Sequence, residues 1–180
     1  MDQSEKEILE TRARALAQLP AEEPTEGDML SLLTFPVGNE RYGVDITLVQ
    51  EVQPLKRQMW SRVPCTPDFI IGAVNIRGRI YSVMDIGRFL GLPSRPLVES
   101  AHVLLVRGDS EDGKETMELG ILADDVPQVA QVAVAEIEPA SSVGSSQAQE
   151  YVHGVTGDML VILDLQRLLA DPRMIVYGEV

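Results

Sequence analysis

Residues 69–92 read FIIGAVNIRGRIYSVMDIGRFLGL, two apolar runs broken once by Asn75-Ile76-Arg77-Gly78-Arg79. Ala73–Ile76 and Ile80–Met84 are β-branched and aliphatic, which predicts two strands. Gly78 tolerates the positive φ of a tight reversal, and Arg77 falls at its tip. Gly72, Asn75 and Gly78 are the structural turn positions of this reversal. A charged tip between two buried runs is a place where a scaffold can display a side chain to a partner.

Outward from that stretch, composition limits what the chain can be. At 180 residues, 44% of them apolar and 4% aromatic, it can bury one good core or two small fused ones. No apolar run approaches the roughly 18–20 residues of a membrane span. The start, MDQSEKEILE, is acidic where a secretory signal would be basic and then apolar. The expectation is a soluble cytoplasmic protein with no direct membrane insertion. Cys65 is the only cysteine, so no internal disulfide and no multi-cysteine zinc site can form. The formal charge of −13 disfavours nucleic acid, whose phosphates need clustered Lys and Arg. Residues 41–80 nevertheless carry six bases against three acids, whereas residues 81–180 carry six against sixteen. That asymmetry either steers an acidic protein partner or only keeps the domain dissolved.

Residues 4–18 predict a helix, with Ser4 as N-cap, Glu7 at the capping-box position, and Ile8, Leu9, Ala15, Leu16 and Leu19 on or near one face. Pro20 and Pro24 stop it, and AEEPTEGD reads as a linker. Residues 1–27 are thus an N-terminal helix and acidic linker, and residues 28–180 the compact domain. Docking on that domain, binding a partner and fraying in solution are all open to the helix.

From Met29 the pattern changes to short β-runs. LSLLTFPV, Gly38-Asn39-Glu40 and RYGVDI predict a hairpin. Ile46, Val49 and Val52, at spacing three, predict a helical turn over 46–52 that leaves Gln50 and Glu51 outward. QPLKRQMWSRVP reads as extended, and Thr66-Pro67 as the start of a brief helical turn through Ile71. Asp85 caps a short helix, IGRFLG, that Gly91 and Pro93 end. HVLLVRG, TMELGILADD, VAQVAVAEI, YVHGVTG and DMLVILDL follow as strands, separated in part by the loops SEDGKE and SSVGSSQ, before a final helix, LQRLLAD. Many short strands at close spacing indicate small antiparallel barrels. Each half holds a strand-Asp-helix step, VMDIGRFLG and ILDLQRLLA. It is either an internal repeat of two barrel subdomains sharing one core or one capping solution used twice.

Catalytic chemistry lacks its parts. Cys65 has only His102 and His153 as imidazole partners in the chain, the two histidines lack a short ligand spacing, and no Gly-rich phosphate loop is present. No cofactor or metal is expected. LGILADDVPQV resembles the acidic pocket of a response-regulator receiver domain at Asp124-Asp125. That fold requires a later active-site lysine, and Lys114 is the last one here. Only 55 residues follow Asp125, too few for the remaining β/α units, so the pair reads as a solvated strand end.

Four segments, LLTFPVGNERYGVDITLVQEV, VPCTPDFIIGAVNIRGRIYSVMDI, LGILADDV and YVHGVTGDMLVILDLQRLL, stand in an order and at a spacing that resembles the CheW adaptors of bacterial chemosensory arrays, over residues 30–170. The resemblance implies a mainly β fold: two small five-stranded antiparallel, SH3-like β-barrels sharing a core, with short helices and an N-terminal helix extension. It also implies no catalysis, and binding to both a chemoreceptor's cytoplasmic tip and the regulatory domain of the histidine kinase CheA, at membrane-associated receptor arrays. The family's receptor contacts lie in a VQE helical turn and an Asn-Leu-Arg-Gly turn. They fall here on Val49, Gln50, Glu51 and Arg77. Val49 would pack on a helical partner while Glu51 and Arg77 fix its orientation by opposite charge. Taken alone, Glu51 and Arg77 are equally ordinary surface charges.

The chain departs from the family pattern in places. Tyr81-Ser82-Val83 replaces an apolar-Pro-apolar step, and Trp60 sits in the connector between barrels, where it reads as a core residue. The apolar tail from Met174 to Val180 has no derivable role. Two rivals stand beside the chemotaxis adaptor. One is a CheW-like scaffold of a different chemosensory-type or motility kinase pathway, and the other a phosphorylated regulator using Asp124 and Asp125.

Overall fold

The computed structural model describes residues 28–109, 113–140 and 149–174. The helix expected at 4–18, its linker, the serine-rich loop, part of SEDGKE and the tail beyond Met174 lie outside the described residues.

The first expected hairpin forms: β1 (Met29–Val37) pairs antiparallel with β2 (Glu40–Asp45), and Gly38 turns the chain at φ 61°. The helical turn read over 46–52 is shorter than expected. Only Ile46–Leu48 make a 3-10 turn, with the Asp45 carboxylate accepting the Thr47 N–H at 2.9 Å. Val49 already begins β3 (Val49–Pro54), because β7 (His102–Asp109), far along the chain, offers a strand edge to pair with. A 3-10 turn, Arg57–Met59, then leads into β4 (Trp60–Ser61). Thr66-Pro67 starts no helix. The Thr66 hydroxyl bonds the Val63 carbonyl at 3.1 Å, the Ile70 N–H bonds the Pro67 carbonyl at 3.0 Å, and β5 (Ile70–Ile76) begins.

β5 and β6 (Arg79–Met84) form the hairpin of the opening stretch. Gly72 lies inside β5 and is not a turn residue. Asp85 caps the short helix α1 (Ile86–Phe89), accepting the Gly87 N–H at 2.9 Å. The second half adds β7, β8 (Thr116–Ala123), β9 (Gln128–Ala133), β10 (Val152–Val155) and β11 (Leu160–Leu163). β9 ends sooner than expected, in a 3-10 turn at Val134–Glu136. Asp164 caps α2 (Leu165–Leu169) as Asp85 caps α1, here through the Arg167 N–H at 3.1 Å.

The strands make two sheets, ordered β10-β11-β2-β1-β9 and β3-β7-β8-β6-β5-β4. Neither is a closed barrel, which corrects the expectation of two five-stranded barrels. The end strands of the six-stranded sheet do not pair, and that sheet is a curled half-barrel. In the five-stranded sheet, β9 and β10 are joined only by the isolated bridge Glu138↔Val155, beyond the end of β9. The two sheets are pseudo-symmetric. Each places an antiparallel hairpin (β1–β2, β7–β8) beside a parallel neighbour (β11 on β2, β6 on β8). Each half's opening hairpin sits in the sheet built from the other half's later strands.

Burial follows the period-two alternation of the strands. Leu104 and Val106 enter a main core that also holds Phe35, Tyr42, Ile121 and the helix residues Ile86 and Leu168. Val103 and Leu105 point the other way, into a smaller cluster with Val74, Ile76, Tyr81 and Val83. A third cluster, Leu32, Val132, Leu160 and Ile162, lines the opposite face of the five-stranded sheet.

Candidate functional site

The tip of the β5–β6 hairpin is built by two consecutive residues at positive φ, Arg77 (54°) and Gly78 (83°). That is the I′ pattern whose twist matches paired strands. Gly78 accepts it freely, whereas Arg77 adopts a conformation that is uncommon for a residue with a side chain. Asn75 supports the reversal, its Oδ1 accepting the Gly78 N–H at 3.0 Å.

From this tip the Arg77 side chain, 79% exposed, places Nη2 3.2 Å from Oε1 of Glu51, whose side chain is 22% exposed. Glu51 also accepts from Gln53 Nε2. The contact spans the sheet: β7 and β8 separate β3 from the β5–β6 hairpin, and the curl closes that gap. An ion pair this exposed contributes only about 0.2–1 kcal/mol, so the fold does not depend on it.

The other expected contact residues do not share its surface. A bulge between Val49 and Glu51 sets Val49 opposite Val106 and Glu51 opposite Leu105, on different faces of the sheet. Val49 is half-buried against the main core, and Gln50 is exposed. The structure therefore brings Glu51 and Arg77 together and separates them from Val49. Val52, grouped with Ile46 and Val49 in the helical reading, is instead 37% exposed on the same strand.

A second constellation was not read from the sequence at all. Arg95, in the loop after α1 and only 17% exposed, donates to both Asp124 oxygens at 2.8 Å and to Asp85 Oδ2 at 2.7 Å. Asp124 also accepts the Gly38 N–H at 2.7 Å, and Asp85 is 2% exposed. One guanidinium thus ties the α1 cap, the end of β8 and the β1–β2 turn. Burial works to raise the Asp124 carboxyl, but Arg95 and the Gly38 N–H hold it below its ordinary value. The hydrogen bonds to Asp124 in turn raise Arg95, against the pull of burial. The only sequence signal was a base between Pro93 and Pro96. Asp124 is accordingly not the solvated strand end expected, because Arg95 and the Gly38 N–H occupy its oxygens, whereas Asp125 beside it is exposed.

Trp60 is half-covered and packs against the smaller core of the six-stranded sheet, as expected. Tyr81-Ser82-Val83 lies in β6, which pairs with β5 on one side and β8 on the other. Among the described residues, no group of three or more His, Cys, Asp or Glu could hold a metal ion, and no helix is long and apolar enough to cross a membrane.

Comparison with known proteins adds independent findings. The model of the CheW-like domain matches residues 31–173. The chain is 31% identical over 151 residues to the chemotaxis protein CheW of Klebsiella aerogenes, covering 82% of this chain and 86% of that one. To the chemotaxis protein CheW of Treponema pallidum it is 28% identical over 152 residues, covering 82% and 86%. The crystal structure of the scaffolding protein TtCheW from Thermoanaerobacter tengcongensis superposes with a TM-score of 0.60 at 28% identity, over 74% of this chain and 88% of that one.

Proposed function

The chain belongs to the CheW-like domain family, and on that premise we propose how its geometry serves the family's work. It is a non-catalytic adaptor linking chemoreceptors to the histidine kinase CheA. Residues 28–180 form the adaptor domain and residues 1–27 an extension of it. It works in the cytoplasm, recruited to membrane-associated receptor arrays. There it holds the receptor's cytoplasmic tip and the kinase's regulatory domain in fixed relation, so that affinity at one face is linked to affinity at the other.

The receptor tip binds at the Arg77–Glu51 pair, with Gln50 at its margin and Val49 supporting the strand from within. One observation carries this reading: a cation on a rigid turn, four-fifths exposed, whose ion pair is with a carboxylate on the far strand of the same curled sheet. A helical hairpin laid across the pair can exchange its own charges with either member, which sets orientation more than raw affinity.

The test is a charge-swap series scored by retention of a receptor cytoplasmic fragment. Arg77→Glu and Glu51→Arg should each weaken retention at least tenfold while thermal unfolding stays close to that of the native chain. CheA should still co-purify. The double swap rebuilds the internal pair with reversed polarity, and it should remain defective. Recovery of receptor binding in the double swap would make the pair an internal latch and the proposed contact wrong.

A further inference from the structure

We propose that the chain's own N-terminal segment, residues 4–19, docks in an apolar trough at one end of the five-stranded sheet. The trough exists because β2 stops early. Its last residue, Asp45, stands opposite Leu32, so Met29, Leu30 and Ser31 of β1 run on past it, paired to β9 alone among the described residues. The chain leaves β2 through the Ile46–Leu48 turn, and β11, on the other side of β2, ends at Leu163. The gap is about 450 Å³, walled by Leu30, Leu32 and Ile162 of the third cluster and by Leu48 and Leu165 of the main core. Two hydrophobic clusters thus reach one surface, with Leu30 and Leu48 only half-buried.

Charge and connectivity name the occupant. Asp45 and Asp164 stand in the trough's wall, which holds no lysine or arginine. Asp45 accepts from the Thr47 N–H and hydroxyl, and Asp164 from the Arg167 N–H, while the Arg167 guanidinium donates to the Glu150 carbonyl. Neither carboxylate forms an ion pair among the described residues. On the helix that the sequence predicts over residues 4–18, Ile8, Leu9, Ala15, Leu16 and Leu19 share a face, and Arg12, four residues from both Ile8 and Leu16, lies in its middle. An arginine among apolar side chains needs a carboxylate opposite it once that face is covered. Glu7 and Glu10 fall on the far face, and Glu5 at the stripe's N-terminal end. The segment is also tethered at the trough itself, since Met29 is part of the wall. Residues 20–28 reach up to about 30 Å, and a segment joined through them meets the trough at an effective concentration on the order of millimolar. The apolar tail beyond Met174 is the poorer match, because Glu179 is its only charged side chain.

Hydrogen–deuterium exchange of the full chain, read by mass spectrometry, tests the docking. Ile8→Glu/Leu16→Glu should speed exchange at least fivefold in residues 28–33, 45–49 and 162–167, and Arg12→Glu at least threefold, with residues 69–84 unchanged in both. The native protection should be the same at every protein concentration. Exchange equal to the native chain's in either variant would overturn the inference. So would protection that grows with protein concentration, which would make a second copy's segment the occupant. Faster exchange there on Val176→Glu/Tyr177→Glu would assign the trough to the tail instead.

Discussion

Gly72 occupies a place in β5 where no methyl group fits. A Cβ there would stand 2.4 Å from the Ser61 carbonyl oxygen and 2.5 Å from Trp60 Cη2. The backbone of β4 and the indole ring lean on the bare α-carbon, and the small core beneath the six-stranded sheet is shaped around that approach. Gly72→Ala should therefore cost about 1–3 kcal/mol by overpacking. It should also shift Trp60 emission, because the ring must move. A denaturation midpoint equal to that of the native chain would contradict the account. Gly78 stands in contrast, with nothing within 4 Å of its added Cβ and a φ of 83°. Sequence cannot tell these glycines apart, since one answers to its own backbone and the other to a tryptophan twelve residues away. Arg77 was legible because the turn that displays it is local. Its partner Glu51 was proposed on family resemblance, and the contact between them depends on sheet curl that no short window of sequence encodes.

Elements were legible where their cause is local. Asp85 and Asp164 each cap the helix that follows; the first was read from the residue type alone, and the second stood as one of two readings of the strand-Asp-helix step. The Val49–Pro54 strand was missed because Ile46, Val49 and Val52 imitate a helical spacing, while the strand that fixes its conformation lies at His102–Asp109. The Arg95 clamp is of the second kind: it joins three elements whose sequence positions are far apart. Its dependence on acid follows from Asp124. With the folded-state carboxyl held below its ordinary value of about 4, the clamp's contribution is complete above that range and fades as pH falls through the lower, folded-state value. Asp124→Asn should thus cost about 2 kcal/mol at pH 7, a partly exposed pair being worth less than a fully buried one. The deficit against the native chain should narrow below about pH 4. Unfolding midpoints measured from pH 7 to pH 3 check this, and a constant deficit would exclude the clamp as its source.

At the scale of the molecule, the two strand-Asp-helix steps did mark an internal repeat, but the repeat is not two barrels in succession. Each half lends its first hairpin to the other half's sheet, so both sheets hold strands from both halves and enclose one main core. This exchange fixes the relation between the sheets, which suits a protein whose work is to keep two partners in register. The most direct measurement is CheA autophosphorylation in reconstituted receptor membranes, with and without the chain. Kinase activity should rise when the chain is added and should then fall under receptor attractant. With Arg77→Glu the control should be lost while CheA binding persists. Kinase activity indifferent to the chain, or attractant control that is complete without it, would contradict the adaptor role.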